Sequence, residues 1–187
     1  MPIDGRALII TPLLDTELQV KAASVDVRLG HESIVLRRSS VERVDPSDLK
    51  NWSANLFKTQ ERVRIARGHE FVLHPGQLIL GGTLEYIALP DDLFASIEGR
   101  SSWGRLGLII ATASSIAPGF KGTITLELVN DGEVPLALYP GVRLAQLVLH
   151  QTQGRAEYEG KYHCPTGPQF TRLQRDEDIG WWEPRRA

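Results

Sequence analysis

The sequence predicts a mainly β fold in which short strands are joined by tight turns. Short segments rich in Val, Ile, Leu and Thr recur along the chain, and Gly, Pro, Asn and Asp residues separate them. Strands at this spacing are typical of an all-β barrel or sandwich. The chain has 187 residues, and one domain commonly spans about 100–200 residues. We therefore predict a single domain over residues 1–187.

The first predicted strand is Ser24–Leu29, where polar and apolar residues alternate as in a half-buried strand. Gly30 follows as a turn residue and is predicted to end this strand. Further along, Gly81-Gly82 separates two apolar segments, Gln77–Leu80 and Leu84–Leu89. A glycine pair between two such segments predicts a β-hairpin.

Six more segments are predicted as strands, and turn residues such as His74-Pro75-Gly76 and Asn130-Asp131-Gly132 lie between them. They are Phe71–Leu73, Leu93–Ile97, Leu108–Ala113, Thr123–Val129, Val134–Leu138 and Leu144–His150. One helix is predicted in the first half of the chain, with Asp45 as its cap and Pro46 in its first turn. One face of that helix would carry Leu49, Trp52 or Ser53, and Leu56.

Charge and cysteine content restrict the classes of function. Lys and Arg number 21, Asp and Glu number 23, and the formal charge is −2. A nucleic-acid polymer or a membrane surface is therefore not an expected partner, since both attract a basic excess. No secretory or membrane-spanning segment is recognisable, so we expect a cytoplasmic protein. The single cysteine, Cys164, can form neither an internal disulfide nor a two-cysteine zinc site.

The composition changes after about Gln151, where the chain becomes polar and rich in Gly, Pro and Arg. Trp181-Trp182 lies near the end of this segment. We predict that residues 151–187 form a C-terminal tail that closes over a site or docks on a partner subunit. A solvated terminus is the alternative.

The densest cluster of polar side chains lies in Glu98–Gly107. It contains two arginines, two serines and three glycines. Glycine lets a backbone approach a ligand closely, and the planar guanidinium group of arginine matches phosphate oxygens. The segment therefore predicts a phosphate site, while a tight turn with salt-bridged arginines remains the alternative.

A second candidate is Glu127, in the middle of the predicted strand Thr123–Val129. Side chains alternate along a strand, so the apolar residues of this segment share one face and Glu127 shares the other with two threonines. Burial raises the pKa of a carboxyl group and suits it to general acid–base catalysis. An exposed glutamate on an edge strand is the alternative.

Several motifs of this chain, in their order and spacing, resemble those of the dCTP deaminases in the trimeric dUTPase-like superfamily. The resemblance runs from about Ser24 to Thr171 and rests on several motifs. They are Ser24–Gly30, His74-Pro75-Gly76, Gly99–Gly107, Pro118–Gly122 with Thr125-Leu126-Glu127, Tyr139-Pro140-Gly141 with Ala145-Gln146-Leu147, Lys161-Tyr162 and Gly167-Pro168. The resemblance implies a dUTPase-like distorted β-barrel or jelly-roll (β-clip) with one or two short helices. It also implies a homotrimer with active sites between subunits.

The resemblance implies that dCTP is converted to dUTP and ammonia without zinc, with Mg²⁺ held by the triphosphate and not by the protein. It leaves inhibition by dTTP open. The lone cysteine agrees with this chemistry, because zinc deaminases need a Pro-Cys-x-x-Cys signature. By motif, Glu127 matches the glutamate that shuttles protons. Ser101 and Arg105 match residues that organise the catalytic water.

The resemblance also implies two groups of binding residues. Nucleotide and phosphate contacts are expected at Arg100, Ser101, Ser102, Arg105, Tyr158, Lys161, Tyr162 and Gln169. The base and sugar pocket is expected at Ala111, Thr112, Ala113, Ala117 and Phe120.

Three departures from the family pattern leave alternatives open. Ala117 replaces an aspartate that helps position the attacking water in relatives that hydrolyse dUTP. The loop from Arg105 to Ala117 is one residue shorter than usual and lacks a common histidine. Pro165 stands where a phosphate-binding glutamine is common, and Gln169 is the candidate to replace it. The alternatives are a dUTP diphosphatase, with or without deaminase activity, and a non-catalytic nucleotide-binding regulator.

Overall fold

The computed structural model describes residues 7–48, 50–112 and 115–178, and these residues form mainly strands. The strands are β1 (Ile9–Thr11), β2 (Ser24–Leu36), β3 (Gln60–Arg64), β4 (Phe71–Leu73), β5 (Leu78–Thr83), β6 (Tyr86–Ala88), β7 (Leu93–Gly99), β8 (Leu108–Ile110), β9 (Ser115–Ile116), β10 (Lys121–Gly122), β11 (Thr125–Asn130), β12 (Leu136–Leu138) and β13 (Arg143–Gln151). The helices are α1 (Thr16–Gln19), α2 (Trp52–Thr59), α3 (Ser101–Gly104) and a 3₁₀ turn at Leu173–Arg175. The mainly β prediction is confirmed.

Most described strands join one antiparallel sheet. Its order is β8–β11–β5–β2–β13–β7–β9, and β3 pairs with β2 beside this path. Two smaller sheets consist of β1–β6–β10 and of β4–β12. The core lies against the central strands, where Leu29, Ile79, Leu126, Leu128 and Leu147 are fully buried. Burying each such side chain contributes about 1.5–3 kcal/mol.

The second strand is longer than the sequence predicts. The prediction ended it at Gly30, but β2 continues through this glycine to Leu36. A Cβ atom at Gly30 would lie 3.0 Å from the backbone oxygen of Gly82, so the residue allows a close approach of two strands. The prediction of a half-buried strand is also wrong, because Asp26 and Arg28 on its polar face are buried.

The predicted hairpin at Gly81-Gly82 is wrong. Both glycines lie inside β5, and the next strand, β6, belongs to a different sheet. A Cβ atom at Gly81 would lie 2.9 Å from the side chain of Leu29. At Gly82 it would lie 2.9 Å from the ring of Pro168. Close packing against these two side chains, not a turn, therefore explains the glycine pair.

The predicted helix begins later than expected, at Trp52 instead of near Asp45. The carboxylate of Asp45 accepts hydrogen bonds from the backbone N and the hydroxyl of Ser47, which makes a local turn. The hydroxyl bond from Ser47 lowers the pKa of Asp45. Leu49, which was predicted on the apolar face of this helix, lies outside the described residues.

The other predicted strands are found with shifted ends, and Phe71–Leu73 is found with the predicted ends. The strand predicted over Leu108–Ala113 stops at Ile110. Ala113 and the Trp181-Trp182 pair lie outside the described residues. Of the described helices, none has the length and apolar character that crossing a membrane requires.

Candidate active site

The two faces of β11 have different environments, as the alternation in this segment predicts. Leu126 and Leu128 are fully buried in the core. Thr123, Thr125 and Glu127 are half-buried on the opposite face and line a cavity. This face of the strand therefore presents two hydroxyl groups and a carboxylate to the cavity.

The cavity has a volume of about 560 Å³. Strands β5 and β11, the loops before β9 and β10, and the C-terminal tail contribute to its walls. Of the residues predicted for the site, those that line it are Thr112, Ala117, Phe120, Glu127, Tyr158, Tyr162 and Gln169. The structure therefore brings the predicted general acid–base group, most of the base pocket and part of the tail around one space.

The backbone of Glu127 is fixed on both sides. Its N–H donates to the hydroxyl of Thr112 at 2.8 Å, and its carbonyl accepts from the N–H of Ala111 at 2.8 Å. The shortened loop after β8 is thereby tied to β11 at the glutamate itself. Of these two loop residues, Thr112 lines the cavity.

The tail lies along β11 through backbone and hydroxyl contacts. The N–H of Thr123 donates to the carbonyl of Pro165 at 2.8 Å. The N–H of Gly167 donates to the hydroxyl of Thr123 at 2.6 Å, and that of Gln169 donates to the hydroxyl of Thr125 at 3.0 Å. The sequence reasoning missed these anchoring threonines, although their position on the polar face of the strand was a usable signal.

Aromatic rings close the cavity on the side of the tail. Phe120 and Tyr158 meet edge to face, with their ring centres 5.5 Å apart. The N–H of Tyr162 donates to the hydroxyl of Tyr158 at 3.4 Å. Such a wall suits a planar base or sugar ring, because it combines apolar surface with phenolic hydroxyl groups.

The arginine–serine segment, Arg100–Arg105, does not line this cavity in the described chain. Ser101, Ser102 and Arg105 are exposed on or next to α3. The base of the segment is fixed, since Arg100 contacts Asp26 at 3.4 Å and donates to the backbone oxygen of Arg143 at 3.1 Å.

Two other predicted site residues also lie outside the cavity lining. Lys161 is exposed on the tail and forms an ion pair with Asp176. Ala111 is exposed next to Thr112 and contacts the backbone of Glu127.

Two buried acidic side chains belong to or contact β2. Asp26 pairs with Arg143 at 3.0 Å as well as with Arg100. Glu85 is fully buried and accepts from the backbone N of Arg28 at 2.8 Å and from Gln19 at 2.9 Å. Burial raises the pKa of Glu85 above its ordinary value. The sequence reasoning missed this layer, because it placed the polar face of β2 toward solvent.

Among the described residues, no group of three or more His, Cys, Asp or Glu side chains is arranged to hold a metal ion.

Residues 2–152 match the protein family described as dCTP deaminase-like. This chain belongs to that family. A dCTP deaminase of Natronomonas pharaonis is 42% identical over 185 residues, which cover 95% of this chain and 93% of the relative. A dUMP-forming dCTP deaminase of Halobacterium salinarum is 43% identical over 180 residues, which cover 92% of this chain and 90% of the relative.

A dCTP deaminase-like fold is also found among solved structures. The crystal structure of a 2′-deoxycytidine 5′-triphosphate deaminase from Agrobacterium tumefaciens superposes with a TM-score of 0.57 at 27% identity. The match covers 76% of this chain and 41% of that chain, so less than half of that protein's length is matched. The predicted family and its fold are confirmed.

Within this dCTP deaminase-like chain, the predicted site residues fall into two sets. One set surrounds the cavity with Glu127, and the other lies on α3 and the outer part of the tail. Two predicted residues belong to neither set: Ala111 lies beside the cavity without lining it, and Ala113 lies outside the described residues.

Proposed function

We propose that this protein removes the C4 amino group of dCTP and forms dUTP and ammonia. The observation that carries the proposal is the position of Glu127, a half-buried carboxylate that lines a cavity in a dCTP deaminase-like chain. The cavity volume of about 560 Å³ is typical of small-molecule sites, which span about 300–1,000 Å³. Relatives named dCTP deaminase support the choice of substrate.

In this reaction Glu127 acts as the general base and then as the general acid. It takes a proton from water as the water oxygen bonds to C4, and it gives the proton to the amino group that leaves as ammonia. One water is consumed for each ammonia released, so dCTP and water become dUTP and ammonia. The bonds from the Glu127 backbone to Ala111 and Thr112 support this role, because they fix the strand backbone from which the carboxylate projects.

The groups that stabilise the developing charge come, in our proposal, from a second copy of the chain in a homotrimer. Ser101 and Arg105 are exposed and lie outside the cavity of their own chain. A hydroxyl and a guanidinium group at that position would supply fixed donors to the reacting centre. Arg100, which is held by Asp26, would stand beside them as a phosphate contact.

The triphosphate is proposed to lie toward the tail, where Tyr162 and Gln169 line the cavity and Lys161 is close in sequence. Mg²⁺ would bind through the phosphate oxygens, because this ion is usually bound through substrate phosphates and not by an all-protein cage. The residues present fit that arrangement, since Glu127 is the one carboxylate among the described lining residues and stays free for proton transfer. The single cysteine supports chemistry without the zinc signature of other deaminases.

A second candidate is deamination followed by hydrolysis of dUTP to dUMP and pyrophosphate. The dUMP-forming relatives favour it. The methyl group of Ala117 argues against it, because it lines the cavity at the place where the motif carries an aspartate. A methyl group can neither accept a proton from water nor orient it.

The Glu127→Gln variant tests the proposal. We expect kcat for ammonia release from dCTP to fall about 10²–10⁴-fold, the usual contribution of a general acid–base group. Binding of dCTP should change by less than about threefold, because Gln keeps the shape and the polarity of the side chain. Glu133→Gln, the same change at an exposed residue just after β11, is the matched control and should leave both quantities unchanged.

Separating the nucleotide products by chromatography distinguishes the alternatives. Wild-type protein that converts dCTP to dUTP supports the proposal, whereas accumulation of dUMP and pyrophosphate supports the dUMP-forming alternative. Tight binding of dCTP without turnover would instead favour a regulator. If Glu127→Gln deaminates dCTP at the wild-type rate, the role of Glu127 is wrong.

A further inference from the structure

One arginine of the tail contacts three of the residues expected to bind the nucleotide. Nη2 of Arg172 lies 3.3 Å from the side-chain oxygen of Gln169, and Nη1 donates to the backbone oxygen of Lys161. The guanidinium carbon lies 5.4 Å from the centre of the Tyr162 ring. The backbone N–H of Arg172 also donates to the Tyr162 hydroxyl at 3.1 Å.

Arg172 makes these contacts from outside the cavity of Glu127. It lies in a separate groove of about 260 Å³ between α2 and the tail, together with Trp52, Phe57 and Phe170. It is not among the described residues that line the cavity of Glu127, whereas Gln169 borders both spaces. A ligand in the cavity would therefore meet Tyr162 and Gln169, and Arg172 would act through them.

We propose that Arg172 is a positioning residue for the triphosphate end of the site, holding Lys161, Tyr162 and Gln169 as one unit. This inference rests on the proposed function, because it takes the ligand to be a nucleoside triphosphate. Residues 152–172 form neither helix nor strand, so side-chain bonds determine much of the geometry of this segment.

The contacts require arginine specifically. A guanidinium group has five N–H donors in a rigid plane, so it can bond two separate acceptors while its face lies on an aromatic ring. The Arg172 bond to the Gln169 oxygen also orients that amide, whose nitrogen donates to the carbonyl of Gly167 at 3.1 Å. A lysine could keep the charge but not this set of contacts.

The test compares Arg172→Gln and Arg172→Lys with Arg175→Gln. Arg175 is an exposed arginine of the same tail whose backbone N–H bonds to the carbonyl of Arg172. We expect Arg172→Gln to raise KM for dCTP about tenfold, the size of one lost hydrogen bond to a charged group, with kcat within about threefold of wild type. Arg172→Lys should still raise KM for dCTP more than about threefold, because lysine keeps the charge but not the full set of contacts. Arg175→Gln should leave both constants unchanged.

Phosphate dependence separates positioning from a general loss of structure. In the Glu127→Gln background, where dCTP is consumed at least about 10²-fold more slowly, calorimetry gives the dissociation constants of dCTP and dCMP. The Arg172→Gln change should weaken dCTP binding about tenfold and dCMP binding less than about twofold, because the residues it positions serve the triphosphate. Circular dichroism of each variant checks folding, and Arg172→Lys carries the test if Arg172→Gln does not fold.

Three results would overturn the proposal: unchanged dCTP binding in Arg172→Gln, equal weakening of dCTP and dCMP, or an equal effect of Arg175→Gln. Failure of the proposed function would look different. Wild-type protein would then release no ammonia from dCTP, while the Arg172→Gln change still weakened dCTP binding in preference to dCMP binding.

Discussion

The cavity of Glu127 and the arginine–serine segment carry the same predicted chemistry, but they are built differently. The cavity is lined by strands, by the loop bonded to Glu127 and by the tail of one chain. The arginine–serine segment is anchored at Arg100 and exposes Ser101 and Arg105 to solvent. The cavity offers a carboxylate without these donors, and the exposed segment offers the donors without this carboxylate. Under the proposed function, these are two halves of one site that meet between copies of the chain.

Mixing two inactive variants tests this comparison most directly and should give the largest effect. Arg105→Ala and Glu127→Gln should each lose most deaminase activity, because each lacks one half of the site. Co-refolding them in equal amounts should restore about a quarter of the wild-type activity. In randomly mixed trimers, about one site in four pairs an intact Glu127 from one copy with an intact Arg105 from its neighbour. Ammonia release from dCTP is the measurement.

The control is a chain that carries both substitutions, refolded in equal amount with Glu127→Gln. In that mixture every site lacks the carboxylate of Glu127, so activity should stay at the level of Glu127→Gln alone. If the Arg105→Ala and Glu127→Gln mixture also stays at that level, both halves come from the same chain and the comparison between them is wrong.

Two glycine substitutions, one in each region, should change the free energy of unfolding by different amounts. A Cβ atom at Gly82 would lie 2.9 Å from the ring of Pro168, so Gly82→Ala should push the tail off β5. We expect the free energy of unfolding to fall by about 1–3 kcal/mol, the usual cost of overpacking, with a higher KM for dCTP. Chemical denaturation and steady-state kinetics measure the two effects.

Gly104→Ala, in the exposed α3, is the matched substitution. Nothing in the described chain lies within 4 Å of a Cβ atom at Gly104, so contacts within one copy predict a change of less than about 0.5 kcal/mol in the free energy of unfolding. A loss as large as that of Gly82→Ala would show that another copy packs closely against Gly104, in keeping with the proposed position of α3 between copies. Unchanged stability and KM in Gly82→Ala would contradict the docking of the tail on β5.

The sequence predicted the parts that depend on local pattern. The alternation along Thr123–Val129 placed Glu127 opposite the buried Leu126 and Leu128, and the structure agrees. Strand ends shifted by a few residues, because pairing partners determine where a strand stops.

The predictions that failed depend on long-range packing. Gly81-Gly82 has the composition of a turn, but side chains distant in sequence require glycine there. Asp26 has the periodicity of an exposed position, but two arginines from other elements cover it. The contacts of Arg172 were also missed, because the tail carries no periodic pattern from which its neighbours could be predicted.

The smallest predicted effect concerns the charges beneath each region. The arginine–serine segment stands over the buried Asp26 and its arginines, with Glu85 in the same polar layer, whereas β11 turns its apolar face to the core beneath the cavity. Burial raises the pKa of Glu85 above its ordinary value of 4.5, so as pH rises from 4.5 the unfolded chain releases this proton before the folded protein does. The stability that this proton contributes is complete below pH 4.5 and is lost as pH rises through the raised pKa.

Glu85→Gln removes this titration and keeps an acceptor for the N–H of Arg28. We therefore compare the melting temperatures of the two proteins. The wild-type value minus the variant value should fall as pH rises above 4.5. The fall should be about 2–4 °C for each kcal/mol of stability that the Glu85 proton contributes. Thermal unfolding of both proteins at several pH values gives this difference, and carboxyl groups common to both cancel. A difference that grows with pH would mean that the ion pair with Arg28, 3.7 Å away, outweighs burial. Glu85 would then be ionised in the folded protein, and the layer would be a network of paired charges throughout.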